Sequence, residues 1–169
     1  MAYTQDGRLI SIHTPLGPDA LLLQSFSGYE AISRPFSFQC EVLSENTAIA
    51  FDQILGQKAT IRIQQHDGSV RYINGFVTHF AQSGSDPRFA SYRMEVAPWL
   101  WFLSRSSDCR IFQNMTVPAI IKKVFDDLGF RDYRDQLQGS FDAREYCVQY
   151  RETDLNFVSR LMEQYGIFY

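Results

Sequence analysis

The sequence predicts a mainly β protein with added helices, an α+β fold in which a β-barrel precedes a helical segment. Three observations lead to this prediction. Aromatic residues make up 15% of the 169 residues, and such side chains pack well on pleated strands. Apolar and polar residues alternate along several stretches of the first hundred residues, as in half-buried strands. After that the apolar spacing changes to the pattern of amphipathic helices.

The barrel is predicted from strands that follow one another closely. Residues 35–42 alternate, and so do residues 59–65, where Ile61 and Ile63 are expected to face inward. On the first strand the inward residues are Phe36, Phe38, Cys40 and Val42. The turn at residues 66–69 contains an Asp-Gly pair, which is typical of a hairpin.

The return strand of this hairpin starts at Val70 and is long. One parity carries Val70, Tyr72, Phe76 and Phe80. Gly75 lies in the middle, where we expect a bulge or a sharp bend, as at a barrel corner. After a turn at residues 83–87, a further strand alternates through Tyr92, Met94 and Val96. Several antiparallel strands, one of them bent at a glycine, predict a small closed or partly closed barrel.

The chain changes character after Pro98. The apolar run Trp99–Leu103 is expected to be buried on both faces; the alternative is a subunit interface, where Trp and Phe are enriched. We therefore place a first barrel domain at residues 1–105. Residues 106–169 are assigned to a helical connection and the truncated start of a following structure.

Two helices are predicted in this second segment. The first is capped by Thr116 and ends at Gly129; the second is capped by Thr153 or Asp154 and ends at Gly166. Their apolar stripes are Val117, Ile120, Ile121, Val124, Phe125 and Leu128, and Leu155, Val158, Leu161, Met162 and Tyr165. Alternation of Tyr146, Val148 and Tyr150 predicts a strand before the second helix. Ile167–Tyr169 reads as the beginning of another strand, so a truncated product is expected.

Composition argues against several classes of partner. The net charge is −3, and the one basic pair, Lys122-Lys123, is followed by Asp126-Asp127, as on an exposed helix face. Nucleic-acid binding is therefore not expected. The three cysteines are widely spaced and odd in number, which favours reduced thiols and a protein folded in the cytoplasm. The N-terminal residues lack the order of a signal peptide, and no apolar run is long enough to span or insert into a membrane.

No catalytic residue, cofactor site or metal site is predicted. His13, His66 and His79 lack metal-ligand spacing, and Cys40 and Cys147 read as small apolar residues in strands. Four acids near the C-terminus, Glu145, Glu152, Asp154 and Glu163, are explained by helix capping and by pairing with Arg151 and Arg160. Phosphate-binding, dinucleotide and nucleophile-elbow motifs are absent. The residues thus indicate a non-catalytic β-rich domain with a helical attachment.

Four blocks carry a family resemblance. They are RPFSFQCEVLSE (34–45), RYINGFVTHF (71–80), PWLWFLSRSSDCRIFQN (98–114) and EYCVQYRETDLNFVSRLMEQYGIFY (145–169). In order and spacing they resemble VgrG, the valine-glycine repeat spike family of the bacterial type VI secretion system. The resemblance implies a fold similar to contractile phage tail hubs, which carry two barrel-like domains with helices between them.

The resemblance also implies a function and partners. The family forms a homotrimeric spike on a tube of hexameric Hcp rings, is held by baseplate components, and carries effectors directly or through adaptor proteins. It implies assembly in the bacterial cytoplasm and then secretion by the type VI system into the medium or a target cell. In the third and fourth blocks, Asn114 or Thr116 is expected to cap the first helix, and residues 149–152 lead to the second.

Three alternatives remain open. The chain could be a hub of a phage tail or a related contractile injection particle, which shares the fold. It could belong to an enzyme whose catalytic activity lies in a C-terminal extension absent here. It could also be a small-ligand-binding barrel, which would need a polar pocket among the inward Phe, Ile and Val side chains.

Overall fold

The computed structural model describes residues 3–169, and the chain divides into two compact units. The first unit runs up to Ala31 and continues over Pro35–Pro98, and the second comprises Ile32–Arg34 and Trp99–Tyr169. The strands are β1 Ile10–His13, β2 Leu22–Ala31, β3 Arg34–Ser44, β4 Lys58–Gln64, β5 Val70–Ser85, β6 Ala90–Ala97, β7 Ser107–Met115 and β8 Arg144–Thr153. The helices are α1 Val117–Asp127 and α2 Asp154–Gln164, with short 3-10 helices at Phe51–Gln53 and Trp99–Ser104. The predicted mainly β fold with a few helices is confirmed.

The first unit is a curled six-stranded sheet in the order β1-β4-β5-β6-β3-β2. Strands β1, β4, β5, β6 and β3 pair antiparallel in that order, for example Cys40 with Met94 and Ile61 with Ile73. The inward faces of β3, β4 and β6 are as predicted, since Cys40, Ile61 and Met94 are fully buried. This half-barrel confirms the predicted partly closed barrel, and its interior is a packed apolar core.

The parity of β5 that carries Val70, Tyr72 and Phe76 does not face the core over the first half of the strand. Ile73 and Val77 face the core, whereas Tyr72 is largely exposed. The register shifts between Val77 and His79, and this irregularity brings Phe80 of the other parity into the core. Alternation alone could not decide which parity of β5 faces the core. Apolar residues occur on both parities, and the bulge changes the inward-facing parity partway along the strand.

Gly75 is not the site of the bulge, although the sequence predicted one there. It pairs regularly with Ala59. A Cβ built on Gly75 would lie 2.6 Å from the carbonyl oxygen of Ala97 and 2.7 Å from Cγ1 of Val96. Glycine is therefore required by close backbone approach. The predicted turn at residues 83–87 is also displaced, because β5 continues to Ser85 and the backbone N–H groups of Arg88 and Phe89 donate to the Asp86 carboxylate at 2.7 Å each.

The Gln5 side chain bridges the two outer strands of the half-barrel. Its Oε1 accepts from the backbone N–H of Ile12 in β1 at 2.9 Å and of Leu23 in β2 at 3.1 Å. Its Nε2 donates to the carbonyl oxygen of Ile12 at 3.0 Å. A buried side-chain amide thus supplies hydrogen bonds that a strand would otherwise make.

The second unit packs α1 and α2 on one face of the antiparallel β7–β8 pair. The caps are as predicted: Thr116 accepts from the N–H of Ala119 at 3.3 Å, and Thr153 accepts from Asn156 at 3.2 Å. Both helices end at glycines with positive φ, +79° at Gly129 and +65° at Gly166. Most of the predicted stripe residues are buried, but Leu128 is exposed and the fully buried Phe157 was not predicted.

Two further expectations for this unit are wrong, and the strand predicted before α2 is present as β8. The run Trp99–Leu103 lies in a 3-10 helix, and only Leu103 is fully buried, because a 3-10 turn points side chains around its axis rather than to two faces. On β8 the parity of Tyr146 and Tyr150 faces outward, since both side chains are exposed. Residues 167–169 form no strand; after the Gly166 turn, Ile167 and Tyr169 pack against the core of the second unit instead.

Candidate interaction surface

The histidines and thiols do not form a reactive cluster among the described residues. His13, His66 and His79 are exposed and separate in the first unit. Over residues 3–169, no group of three or more His, Cys, Asp or Glu side chains is placed to hold a metal ion. The helices described are too short or too polar to cross a membrane.

The cysteines differ strongly in environment. Cys40 lies in the core of the first unit, and burial raises the pKa of its thiol to about 12. Cys147 is buried in the second unit, whereas Cys109 is exposed. At neutral pH the Cys40 thiol is therefore fully protonated and unreactive.

A buried polar network joins β7, β8 and α2. Asp154 is 3% exposed and accepts from Arg110, from Nε2 of Gln149 at 2.7 Å and from the Ser106 hydroxyl at 2.6 Å. The Gln149 Oε1 in turn accepts from Nε of Arg110 at 2.9 Å. Each of these buried polar groups has a partner, which a low-dielectric interior requires. A role for Asp154 at the helix start was predicted from the sequence, but its ion pair with Arg110 was not.

Arg160 of α2 forms a second set of hydrogen bonds to β8. Its guanidinium donates to both carboxylate oxygens of Glu152 and, through Nη2, to the carbonyl oxygen of Val148 at 2.8 Å. The hydrogen bonds from Arg160 to Glu152 raise the pKa of Arg160. The predicted pairing of Arg160 with a neighbouring acid is thus present. Arg151, also predicted to pair, lies instead beside Tyr150, its guanidinium carbon 5.2 Å from the ring centroid.

A bulge lies next to this arrangement. The β7–β8 register shifts between Asp108, which pairs with Glu152, and Cys109, which pairs with Tyr150. Arg151 is therefore the extra residue of β8, and it has a φ of +51°. Bulges locally twist a strand and redirect its side chains, and this one lies beside the exposed ring of Tyr150.

The outward face of β7–β8 is the candidate interaction surface, and we name it the open sheet face. It comprises Cys109, Ile111, Gln113, Tyr146, Val148 and Tyr150. Ile111, Tyr146 and Tyr150 are 65%, 60% and 63% exposed. An exposed cluster of large apolar side chains is typical of protein interaction sites. The alternation of Tyr146, Val148 and Tyr150 predicted the strand, but it did not show which side of the strand faces the core.

The second unit also contains a groove. This groove of about 910 Å³ is lined by apolar side chains including Trp99, Phe125 and Tyr165. Lys122 and Asp135 form an ion pair beside it. Their hydrogen bond raises the pKa of Lys122 and lowers the pKa of Asp135. In the first unit the interior is filled by apolar side chains, which does not favour a small-ligand-binding barrel.

Comparison with protein families gives a match over most of the chain. The family model described as the phage tail baseplate hub (GPD) matches residues 29–169. The chain is 50% identical over 169 residues to the type VI secretion system spike protein VgrG1b of Pseudomonas aeruginosa, covering 100% of this chain and 23% of that protein. It is 32% identical over 163 residues to the spike protein VgrG3 of Vibrio cholerae, covering 91% of this chain and 16% of that protein. The chain therefore spans about a quarter or less of these relatives.

Solved structures show the same relationship. An Escherichia coli component of the type VI secretion system, described as structurally similar to the T4 bacteriophage tail proteins gp27 and gp5, superposes with a TM-score of 0.75 at 30% identity. The match covers 90% of this chain and 42% of that chain. The 43 kDa tail protein of prophage MuSo2 from Shewanella oneidensis gives a TM-score of 0.59 at 18% identity, over 93% of this chain and 48% of that chain. This second likeness concerns the fold alone.

Proposed function

Because this chain belongs to the phage tail baseplate hub family and, within it, to the type VI secretion system spike proteins, we propose that it is a structural part of the puncturing spike. In this role it contributes to a trimeric hub that joins the spike to the Hcp tube and helps to deliver effectors into target cells. The observation that carries the proposal is the 50% identity to a spike protein over the full 169 residues.

The structure supports a mechanical role. Both units have packed apolar cores, and the second unit adds an exposed apolar sheet face rather than a cluster of reactive side chains. A hub that transmits force needs broad contacts between subunits. We propose that this chain is not itself catalytic and that any enzymatic activity lies in an extension outside it.

The proposed partners follow from the family. They are two further copies of the protein, the Hcp hexamer, baseplate components, and effector or adaptor proteins. Nucleic acid and direct membrane insertion are not part of the proposed role. The protein is proposed to assemble in the bacterial cytoplasm and to be secreted by the type VI system into the medium or a target cell.

A chimera tests the proposal in a cell. The aligned segment of P. aeruginosa VgrG1b is replaced by this chain, and Hcp in the medium is measured. We expect export comparable with that of the parent spike. A stable chimera that exports no Hcp contradicts the role. The matched control is the same chimera with Phe125→Asp. This substitution places an unpaired charge in the buried stripe of α1 and lowers the free energy of unfolding by several kcal/mol.

The solution mass tests the trimer separately. Light scattering over a concentration series gives the mass of the chain, which is 19.6 kDa as a monomer. A stable mass near three times this value indicates that the chain itself contains trimer contacts. A monomer at all concentrations places those contacts outside the chain and removes this part of the proposal.

A hub of a phage tail remains the second candidate, since the matched family model bears that description. The identities to spike proteins favour the secretion system. Neighbouring genes for a secretion sheath and Hcp would support the spike, whereas neighbouring capsid and tail genes would support the phage hub.

A further inference from the structure

The β7–β8 pair has two outer edges, and they differ in how they are covered. Among the residues that the structure describes, the sheet contains only these two strands. On the β8 edge, Arg160 donates to the carbonyl oxygen of Val148 at 2.8 Å. On β7, Phe112 is the single buried residue of nine. The edge of β8 is thus covered by a side chain of α2, while β7 is exposed along most of its length.

The register reveals which backbone groups of β7 point outward. Ile111 pairs with Val148. The Val148 carbonyl accepts from Arg160 of α2, and from this we infer that it points away from β7, which makes Ile111–Val148 a non-hydrogen-bonded pair of the antiparallel ladder. The N–H and C=O of Ile111 therefore also point away from β8. Gln113 has the same parity and pairs with Tyr146, so its backbone groups point the same way.

A second contact agrees with this direction. Cys109 shares the parity of Ile111, and its N–H donates to the carboxylate of the exposed Asp108 at 2.7 Å. Asp108 thus satisfies one of the outward amides of β7, that of Cys109. Ile111 and Gln113 are left as a free donor–acceptor edge. Uncovered edges of this kind attract further strands, and proteins usually protect them with Pro, Lys or a covering element.

We propose that the outer edge of β7 at Ile111 and Gln113 binds one additional strand from a partner polypeptide, an extended segment with alternating apolar and polar side chains. Backbone groups of the segment pair with those of Ile111 and Gln113. Its apolar side chains extend the open sheet face beside Ile111. Main-chain hydrogen bonds supply the affinity, and the side chains that contact the face supply the selectivity.

The free edge of β7 offers backbone partners for one strand, whereas the open sheet face is too small to hold a second folded copy of the chain. The three large exposed side chains of that face offer on the order of 300–400 Å², given that an aromatic side chain buries about 150–250 Å² when fully covered. A stable interface between two proteins uses about 800 Å² on each side. None of the six residues of the face is charged, which suits a segment with apolar side chains.

Hydrogen exchange on the full chain tests the free edge first. In a dilute monomeric sample, the amides of Ile111 and Gln113 are expected to exchange at least about ten-fold faster than that of Phe112, which points towards β8. If the Ile111 amide is already protected in the monomer, the edge is not free and the proposal is wrong.

A strand peptide tests binding. The probe is an acetylated and amidated heptapeptide of alternating Thr and Val; the control probe has the same sequence with N-methylated backbone amides on both edges, so that neither edge can donate. At millimolar concentration, the first probe is expected to slow exchange at Ile111 and Gln113 by at least about ten-fold, and the control probe is not. Equal exchange with and without the first probe overturns the proposal. Protection that appears without probe, together with a doubled mass, assigns the edge to a second copy and also overturns it.

Two variants separate the edge from general folding. Ile111→Pro removes the outward N–H without removing a β7–β8 hydrogen bond, because proline is tolerated where an edge N–H faces solvent. We expect this variant to fold and to lose the effect of the probe. Ile111→Ser keeps the N–H and removes the apolar side chain, so the probe should bind more weakly but still protect Gln113. Loss of protection in both variants to the same degree, or in neither, contradicts strand addition.

Discussion

The two units bury polar groups in different ways. In the first unit, the neutral amide of Gln5 joins β1 and β2 by bonding to the backbone of Ile12 and Leu23. In the second unit, the charged pair Arg110–Asp154 joins two strands to a helix. A neutral amide needs only hydrogen-bond partners, whereas a buried charge also needs an opposite charge. The strand–helix junction should therefore be the more fragile of the two.

The largest expected effect comes from removing the buried charge. Asp154→Ala leaves Arg110 without its buried partner and removes one of the two acceptors of the Gln149 Nε2 group, so the second unit should lose about 3–5 kcal/mol of unfolding free energy. Chemical denaturation followed by tryptophan fluorescence measures this unit specifically, because both tryptophans of the chain, Trp99 and Trp101, belong to it.

The matched control for this prediction is Glu163→Ala on the same helix. Glu163 is exposed, so its removal should change the unfolding free energy by less than about 0.5 kcal/mol. If Asp154→Ala has an equally small effect, the buried pair does not stabilise the junction and the two units do not differ in the way described.

The second largest effect is expected from removing the Gln5 amide that joins β1 and β2. Gln5→Leu keeps the size of the side chain but leaves buried backbone groups of Ile12 and Leu23 unpaired, at a cost of about 2–3 kcal/mol. Faster hydrogen exchange at the amides of Ile12 and Leu23 is the specific readout. Gln24→Leu, at an exposed position of β2 next to Leu23, is the control and should leave both amides protected. Unchanged exchange in Gln5→Leu would show that β1 and β2 are held together by other contacts.

The sequence predicted the caps and one face of several strands because those features are local. Thr116 and Thr153 bond to residues three positions along the chain, and the inward faces of β3 and β6 follow from clean alternation. Gln5 was missed because its partners lie 7 and 18 residues away. The hydrogen bonds of Arg110 were missed for the same reason, because its partners Gln149 and Asp154 follow 39 and 44 residues later.

The inward faces of β5 and β8 could not be predicted from the sequence for a related reason. On β8, Tyr146 and Tyr150 look more apolar than Gln149, yet Gln149 is buried because Arg110 and Asp154 satisfy its amide. Hydrophobicity assigns a face correctly only when buried positions are apolar. The open sheet face was therefore visible as a pattern, but its direction depended on polar contacts between distant residues.

The third prediction tests close packing in the barrel. Gly75→Ala would place a Cβ 2.6 Å from the Ala97 carbonyl oxygen, so neighbouring backbone must move, and we expect a loss of about 1–3 kcal/mol. Thermal unfolding followed by far-UV circular dichroism measures it. Gly84→Ala on the same strand is the control, because nothing lies within 4 Å of its added Cβ. Equal melting temperatures for the two variants would show that the sheet relaxes around Gly75 without cost.

The smallest expected effect compares thiols of the two units. At pH 8 the exposed Cys109 should react with iodoacetamide while the buried Cys40 should not, as peptide mass spectrometry can show.

Burial raises the pKa of Cys40 from its ordinary 9.0 to about 12, so above pH 9 the unfolded chain loses this proton and the folded chain keeps it. Stability should then decrease as pH rises between these values, by about 1 kcal/mol at pH 10. Cys40→Ala removes this titration and should flatten that part of the pH profile; an unchanged slope in the variant would mean that other groups cause it. Because Cys109 is exposed, Cys109→Ala should keep the slope of the parent chain, and this confines the effect to the core of the first unit.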